Sequence, residues 1–315
     1  MNAEAEFLLI DKDAIRHALT LPLVLEATKA ALLKTSNGVA RQQIRRTLDL
    51  PGAAGSCLSL MYAALDDRPL GGCGRAYDVG SADGRPVALI DGGELTAWRT
   101  AAASAVATTA LSRPDSSTLT VLGYGEQARR HVEAISQVRP IRAVHVWGRD
   151  PAKAQRFAQS LSVAGFKAQA HREAGEAVSG ADIICTTTSS ERPVLFGKWL
   201  HPGMQINAVG ASVASCRELD LECVRRSKIW VDYLPMALVA AGELAEAIES
   251  GHIGRDHIRG EIGEVLAGTK PGRAGDADIT LYRSLGVPAQ DIELANLVYA
   301  RARDAGLGTS IDFRL

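Results

Sequence analysis

Cysteine is scarce in this 315-residue chain: Cys57, Cys73, Cys185, Cys216 and Cys223 make an odd set of five. No CxxC pair occurs among them. A disulfide framework and a zinc site are therefore excluded, and a reducing compartment, the cytoplasm, is expected. Aromatics are only 5% and the net charge is −1, so neither a base-stacking surface nor a basic field for polyanions is present. No apolar run reaches the roughly 18 residues of a membrane span; the Ala-rich stretch from Thr100 to Leu111 is too short and carries hydroxyls. The start, Met1 to Glu6, is acidic and lacks the basic residues of a secretory signal. The histidines form no ligand cluster: His145 falls on a predicted strand, His201 precedes a Pro-Gly turn, and His252 and His257 flank a polar turn. No metal, nucleic acid or membrane partner is expected.

What remains is ordinary soluble-protein material, 46% apolar and 23% charged, enough for one large or two ordinary domains. Residues 13–36 read as helical, divided by Pro22, with Val24, Leu25, Ala31 and Leu32 on one face. Arg41 to Leu50 reads as extended, Pro51 to Gly55 as a turn, and Cys57 to Ala64 as a strand. Two further strands near Arg75–Val79 and Pro86–Ile90 flank the hairpin signal Asp83-Gly84, and Glu94–Leu111 is an Ala-rich helix. A polar breaker at Ser112–Ser117 follows. Beyond it strands and helices alternate: Leu119–Leu122, Glu126–Val138, Val144–Trp147, Pro151–Leu161, then strands at Ile183–Thr186, Gln205–Val209 and Ile229–Val231. Such alternation gives a parallel sheet covered on both faces. The C-terminal part is helical from Pro288 to Ala305.

The strongest local signal is Leu119-Thr120-Val121-Leu122-Gly123-Tyr124-Gly125-Glu126-Gln127-Ala128, a strand, a GxGxxA turn and a helix. Gly123 permits the turn, Gly125 leaves room for a pyrophosphate, and Ala128 lets helix and strand pack closely. The helix start directs free N–H groups and a positive dipole end at phosphate. The second strand ends Val146-Trp147-Gly148-Arg149-Asp150. A carboxylate that would hold the ribose 2′-hydroxyl of NAD is replaced there by Gly148, and Arg149 follows. A guanidinium in place of an anion favours a 2′-phosphate, hence NADP(H) over NAD(H), with Lys153 assisting; the competing reading makes Arg149 a solvated residue and Asp150 a helix cap. Thr186-Thr187-Thr188 follows a later strand and reads either as the lining of the cofactor crevice or as a polar loop. The fold class is thus α/β, a doubly wound Rossmann sheet over residues 114–287. A second α+β unit is expected from both chain ends: residues 1–113 for substrate binding and dimerisation, and residues 288–315 as a helix returning to it.

The run from Asp91 through Trp98-Arg99-Thr100 to Ala105 resembles the segment preceding the Rossmann domain in the ornithine cyclodeaminase/mu-crystallin family. Gly123–Ala128, Thr186–Pro193, Pro202–Ala211, Glu218-Leu219-Asp220 and Thr280–Gly286 match further family motifs in order. The resemblance implies a nicotinamide-dependent oxidoreductase acting at the carbon beside a carboxylate, working as a homodimer on a small amino- or imino-acid substrate. It places the substrate carboxylate on Arg99, with Arg46 as a second arginine. It implies cofactor contacts at Thr100, Gly123, Tyr124, Gly125, Glu126, Gln127, Arg149, Lys153, Thr186, Thr187, Thr188, Val209, Gly210 and Leu285. Two departures stand out. Ser212 occupies a position where cyclodeaminases carry aspartate, and a serine cannot act as a carboxylate base near neutral pH; ketimine-reductase-like members share the serine. The region before Asp91 is shorter than usual by roughly 15–20 residues: either Arg75 replaces a family lysine, or the strand that carries this lysine is absent. The expected activity is NADP(H)-dependent reduction of a cyclic imine or 2-imino acid. The rivals are ornithine cyclodeamination, an alanine-type dehydrogenase, and a catalytically decayed NADP-binding protein.

Overall fold

Capping chemistry sets the first helices. The side chain of Asp11 accepts from Ala14 N at 2.8 Å and starts α1 (Lys12–Ala18) after strand β1 (Phe7–Ile10). Pro22 lies in the first turn of α2 (Leu21–Ser36), where a missing N–H costs nothing, so the helical stretch divides where the proline predicts. The computed structural model describes residues 7–44, 46–49, 57–65, 71–73, 76–80 and 86–312. The chain divides into two units, residues 1–99 with 287–315, and residues 100–286.

In the first unit, β2 (Ala40–Gln42), β5 (Tyr62–Leu65) and β6 (Gly71–Cys73) form one antiparallel sheet, and β3 (Arg46–Asp49) pairs with β4 (Cys57–Leu60) in another. The apolar run from Cys57 to Ala64 is therefore two strands with different partners. β7 (Ala76–Gly80), β8 (Pro86–Asp91), β1 and the last strand (Thr309–Ile311) make a four-stranded sheet in which β1 and β8 run parallel. The predicted turn at 51–55 and the Asp83-Gly84 signal lie outside the described residues. The C-terminal helix Pro288–Ala305 ends in left-handed Gly306 (φ 63°) and is tied to α2 by a Lys34–Glu293 ion pair of 2.9 Å.

Helix α3 (Gly92–Leu111) begins two residues before the predicted Glu94, because Asp91 Oδ1 accepts from Glu94 N at 2.8 Å. Six of its seven alanines, Ala97, Ala101, Ala102, Ala103, Ala105 and Ala107, are buried, as suits a helix covered over most of its surface. The division between the two units falls inside α3, between Arg99 and Thr100, while the polar breaker marks only the helix end.

The second unit alternates as the sequence predicts: β9 (Thr118–Leu122), α4 (Glu126–Val138), β10 (Ala143–Trp147), α5 (Pro151–Val163), β11 (Ala168–Ala170), α6 (Ala174–Val178), β12 (Ile183–Thr186), β13 (Gln205–Ala208), α7 (Leu221–Arg226), β14 (Lys228–Val231), α8 (Leu234–Ala240), α9 (Gly242–Glu249), β15 (Ile258–Glu261), α10 (Ile262–Leu266) and β16 (Thr280–Arg283). The eight strands are parallel in the order β11-β10-β9-β12-β13-β16-β14-β15. The order reverses between β9 and β12, which places a ligand crevice outside their carboxyl ends. β12, β13 and β16 are buried throughout. The late motif Thr280–Gly286 thus supplies a central strand, which its polar letters Thr280 and Arg283 conceal in the sequence.

His131 on α4 is fully buried; Nδ1 donates to Gln127 O at 2.7 Å, which leaves Nε2, 2.9 Å from Ser104 Oγ, to accept from that hydroxyl. Burial lowers its pKa from 6.5 to about 4, against a smaller opposing effect of the Gln127 hydrogen bond. The unfolded chain binds the proton first as pH falls, so the stability this neutral ring contributes is complete above pH 6.5 and is lost between pH 6.5 and 4. The loss amounts to roughly 3 kcal/mol. Urea unfolding at pH 7 and pH 4.5 is expected to show it in the native protein and not in His131→Gln; parallel pH dependences for the two proteins contradict this.

Candidate active site

The glycine turn lies at the carboxyl end of β9. Gly123 N donates to Trp147 O and Thr187 N donates to Leu122 O, both at 2.8 Å, so the ends of β9, β10 and β12 are knit together. Gly123 has φ 131°, and a Cβ there would stand 2.6 Å from Thr187 Oγ1 and 2.8 Å from Thr187 O. Conformation and the neighbouring loop both require glycine. Gly125 is the N-cap of α4, makes no side-chain cap, and a Cβ there would meet nothing within 4 Å. The first-turn N–H groups of Glu126 and Gln127 therefore face open space at the positive end of α4. Gln127 Oε1 and Thr100 Oγ1 are buried without protein partners. An uncapped helix start, room beside it and orphaned polar atoms fit a dinucleotide pyrophosphate and its neighbouring groups.

At the end of β10, Arg149 is exposed and carries no ion pair among the described residues. Asp150 caps α5, accepting from Ala152 N at 2.9 Å and Lys153 N at 3.1 Å. The Lys153 N–H foremost, then that of Ala152 and the charges of Lys153 and Arg156, hold its carboxyl below the usual range against some desolvation. Lys153 is exposed on the first turn of α5.

The loops after β12 and β13 are joined by an acid, Glu218, whose only signal in the sequence is its place in the Glu218-Leu219-Asp220 motif. Glu218 is buried and accepts from Thr186 Oγ1 at 2.7 Å, Thr188 N at 2.6 Å, Thr188 Oγ1 at 2.7 Å and Gly210 N at 2.7 Å. Thr187 Oγ1 donates to Leu122 O at 3.3 Å. The three threonine hydroxyls thus donate into the protein and face any ligand as acceptors or through their backbone. A Cβ on Gly210 would lie 1.9 Å from Thr188 O, so the two loops touch. Val209 is buried beside Gly210. Arg283 is likewise buried: it pairs with Glu243 at 2.5 Å, donates to Ala208 O at 3.2 Å and Ser284 O at 3.1 Å, and donates to Ala211 O. Asp232 accepts from Leu285 N and Gly286 N at 2.7 Å and from Tyr233 N at 2.9 Å. Its burial pushes the carboxyl pKa up against those hydrogen bonds. Ser212 is half-buried in the loop that Arg283 holds; an Arg217–Glu246 ion pair fastens the loop's far end. Among the described residues no His, Cys, Asp or Glu group is arranged to hold a metal.

In the other unit, Arg99 is buried and directed by the C-terminal helix: Nε donates to Asp291 Oδ1 at 2.9 Å and Nη1 to Gln290 Oε1 at 3.4 Å. Asp291 Oδ2 and Gln290 Nε2 are buried without partners. Arg46 lies on β3 opposite Leu60, with its side chain outside the described residues; Arg75 lies outside them altogether. The Rossmann-side candidates Gly123, Gly125, Arg149, Thr186–Thr188, Val209, Gly210 and Leu285 all gather at carboxyl ends of the parallel sheet.

Residues 78–306 match the sequence profile of the ornithine cyclodeaminase/mu-crystallin family, and the chain belongs to that family. It is 35% identical over 303 residues to an uncharacterized cyclodeaminase of Sinorhizobium fredii, covering 95% of this chain and 91% of that one. It is 39% identical over 232 residues to a Delta(1)-pyrroline-2-carboxylate reductase of Bacillus thuringiensis, covering 73% and 71%. Its fold is similar to the Thermococcus litoralis Delta(1)-pyrroline-2-carboxylate reductase in complex with NADH and L-proline, with TM-score 0.92, 31% identity and coverage of 97% and 100%.

Glu218→Gln replaces one acceptor oxygen by an N–H pair that faces N–H and O–H donors. Each orphaned donor costs about 1–3 kcal/mol. The variant is expected to melt about 5 °C lower and to bind a nicotinamide dinucleotide about tenfold more weakly. Unchanged melting and unchanged titration of the dinucleotide contradict the role given to this carboxylate.

Proposed function

We propose that this family member reduces a carboxylate-bearing cyclic imine, or a 2-imino acid, with NADPH. The observation that carries the reading is the loop from Val209 to Arg217: it contains no carboxylate. The acid that follows it, Glu218, is fully engaged by Thr186, Thr188 and Gly210. Ser212 is no base near neutral pH. Ornithine cyclodeamination needs a group to take a proton from an amine, and this loop offers none. Reduction of an iminium needs no such base, because the nitrogen is already protonated. The likeness to pyrroline-2-carboxylate reductases, one of them holding NADH and L-proline, supports the same substrate class.

When bound, the nicotinamide supplies a hydride to the C=N carbon. The chain's own residues do the rest. Glu126 and Gln127 N–H groups at the start of α4 take the pyrophosphate. Glu218 fixes the loops at Thr186–Thr188 and Gly210, and Asp232 fixes Leu285. Arg99, with Arg46, holds the substrate carboxylate, since a guanidinium remains charged and presents parallel donors. Asp291 and Gln290 restrict how that guanidinium turns. Ser212 hydrogen-bonds the substrate. The phosphorylated cofactor is our reading of Gly148, Arg149 and Lys153, whereas the Thermococcus relative holds NADH. We take the working form to be a homodimer: Leu9 and Leu89 are register partners in the four-stranded sheet, and Leu89 is exposed. The buried thiols of Cys185 and Cys223 suit a reducing cytoplasm.

Following absorbance at 340 nm, NADPH is expected to be oxidised with pyrroline-2-carboxylate or piperideine-2-carboxylate, and ornithine with catalytic NAD to give no proline. Arg99→Lys keeps the charge beside Asp291 and loses the fork; kcat/KM for the imine should fall about 100-fold with the dissociation constant for NADPH unchanged. Arg149→Ala should weaken NADPH about tenfold and leave NADH unaffected. Proline and ammonia from ornithine, or full kcat/KM in Arg99→Lys, overturn the reading.

A further inference from the structure

Gly148 occupies the position from which a carboxylate selects an unphosphorylated ribose, and the structure gives a specific reason for the missing side chain. A Cβ on Gly148 would stand 2.2 Å from Tyr124 Cδ1 and 2.3 Å from Tyr124 Cε1. No real methyl carbon approaches an aromatic ring so closely. The backbone does not demand glycine here, because Gly148 is not among the glycines with positive φ. It is the ring, lying where the side chain of residue 148 would begin, that must shift before any other residue fits.

Tyr124 is the middle residue of the GxG turn, and its two neighbours lack side chains for different reasons. Gly123 faces Thr187 closely, whereas Gly125 faces open space. The Tyr124 ring itself lies against Gly148 at the end of β10. The Gly123 N to Trp147 O bond of 2.8 Å sets the separation of the two strand ends, so the backbone leaves little room to relieve a clash. The next acid along, Asp150, is held by the N–H groups of Ala152 and Lys153.

We propose that Tyr124 is a specificity-determining residue, coupled to Gly148, whose ring closes the carboxylate route to NAD and leaves ribose recognition to the Arg149 guanidinium. The proposal rests on the nucleotide crevice described above. It makes a prediction that a missing acid alone does not: Gly148→Asp cannot create NAD preference while Tyr124 is present.

The test is a double-mutant cycle on the full chain with Gly148→Asp, Tyr124→Ala and both together. Two readouts are taken: melting of the nucleotide-free protein, and dissociation constants of NADPH and NADH by calorimetry. Gly148→Asp alone is expected to lower Tm by about 5 °C and to weaken both nucleotides about tenfold, since the ring must swing out. The double variant should recover the melting temperature and bind NADH about tenfold better, relative to NADPH, than the native protein. Gly148→Ala, which adds only a methyl group, should show the same melting loss, again relieved by Tyr124→Ala. Equal effects of Gly148→Asp in the two backgrounds, on melting and on the NADH-to-NADPH ratio, overturn the proposal. A native protein that prefers NADH while the melting coupling persists overturns the NADPH reading, and with it the part of the proposal that concerns ribose selection. A native protein that binds neither nucleotide overturns both.

Discussion

A buried carboxylate with no cation beside it among the described residues is costly unless donors surround it, and Glu218 meets that condition with four hydrogen bonds of 2.6–2.7 Å. Those donors come from the end of β12 and the loops after β12 and β13, on one side of the point where strand order reverses. The same two loops also touch through Gly210 and Thr188. Hydrogen bonds from Gly123 and Thr187 add the ends of β10 and β9. The carboxyl edge of the sheet is thereby one surface connected by the protein's own hydrogen bonds. Preorganisation of this kind reduces the entropy lost when a nucleotide binds, and it fixes where the reacting carbon must lie.

A second set of buried charges holds the next strands. Arg283 satisfies carbonyls of Ala208, Ala211 and Ser284 while paired with Glu243; Asp232 gathers Leu285 and Gly286. Replacing either charge alone strands its partners in a dry interior, so both are costly to lose. All these acids are committed to structure. The consequence for chemistry is that the loop from Val209 to Arg217, which bears Ser212, contains no carboxylate. That is the physical ground for reading a reductase where a cyclodeaminase would need a carboxylate.

The glycine turn and the alternation of strands and helices were legible because each follows from short-range rules: a backbone that must turn, a helix that must start, a strand that must be buried. What stayed hidden depends on distance along the chain. Asp291 meets Arg99 across 192 positions, and Glu218 meets Thr188 across 30. No local pattern announces such pairs. β16 was hidden for another reason: Arg283 in its last position reads as a surface residue, yet it is buried because Glu243 and three carbonyls receive it. Gly148 is legible in the sequence as an absent acid, whereas the Tyr124 ring filling its place follows only from how the strand ends meet. His131 drew no notice in the sequence, since a single histidine inside an amphipathic helix has no signature until Ser104 is seen facing it.

Isotope transfer reads out whether this chain passes a hydride to an imine carbon. With NADPH carrying deuterium at the reactive position of the nicotinamide and pyrroline-2-carboxylate as acceptor, mass spectrometry and NMR of the product should show one deuterium at the carbon bearing the carboxylate. One cofactor should be oxidised for each proline formed. Nucleotide bound with no deuterium in any product, across cyclic and open-chain imines, would contradict the account.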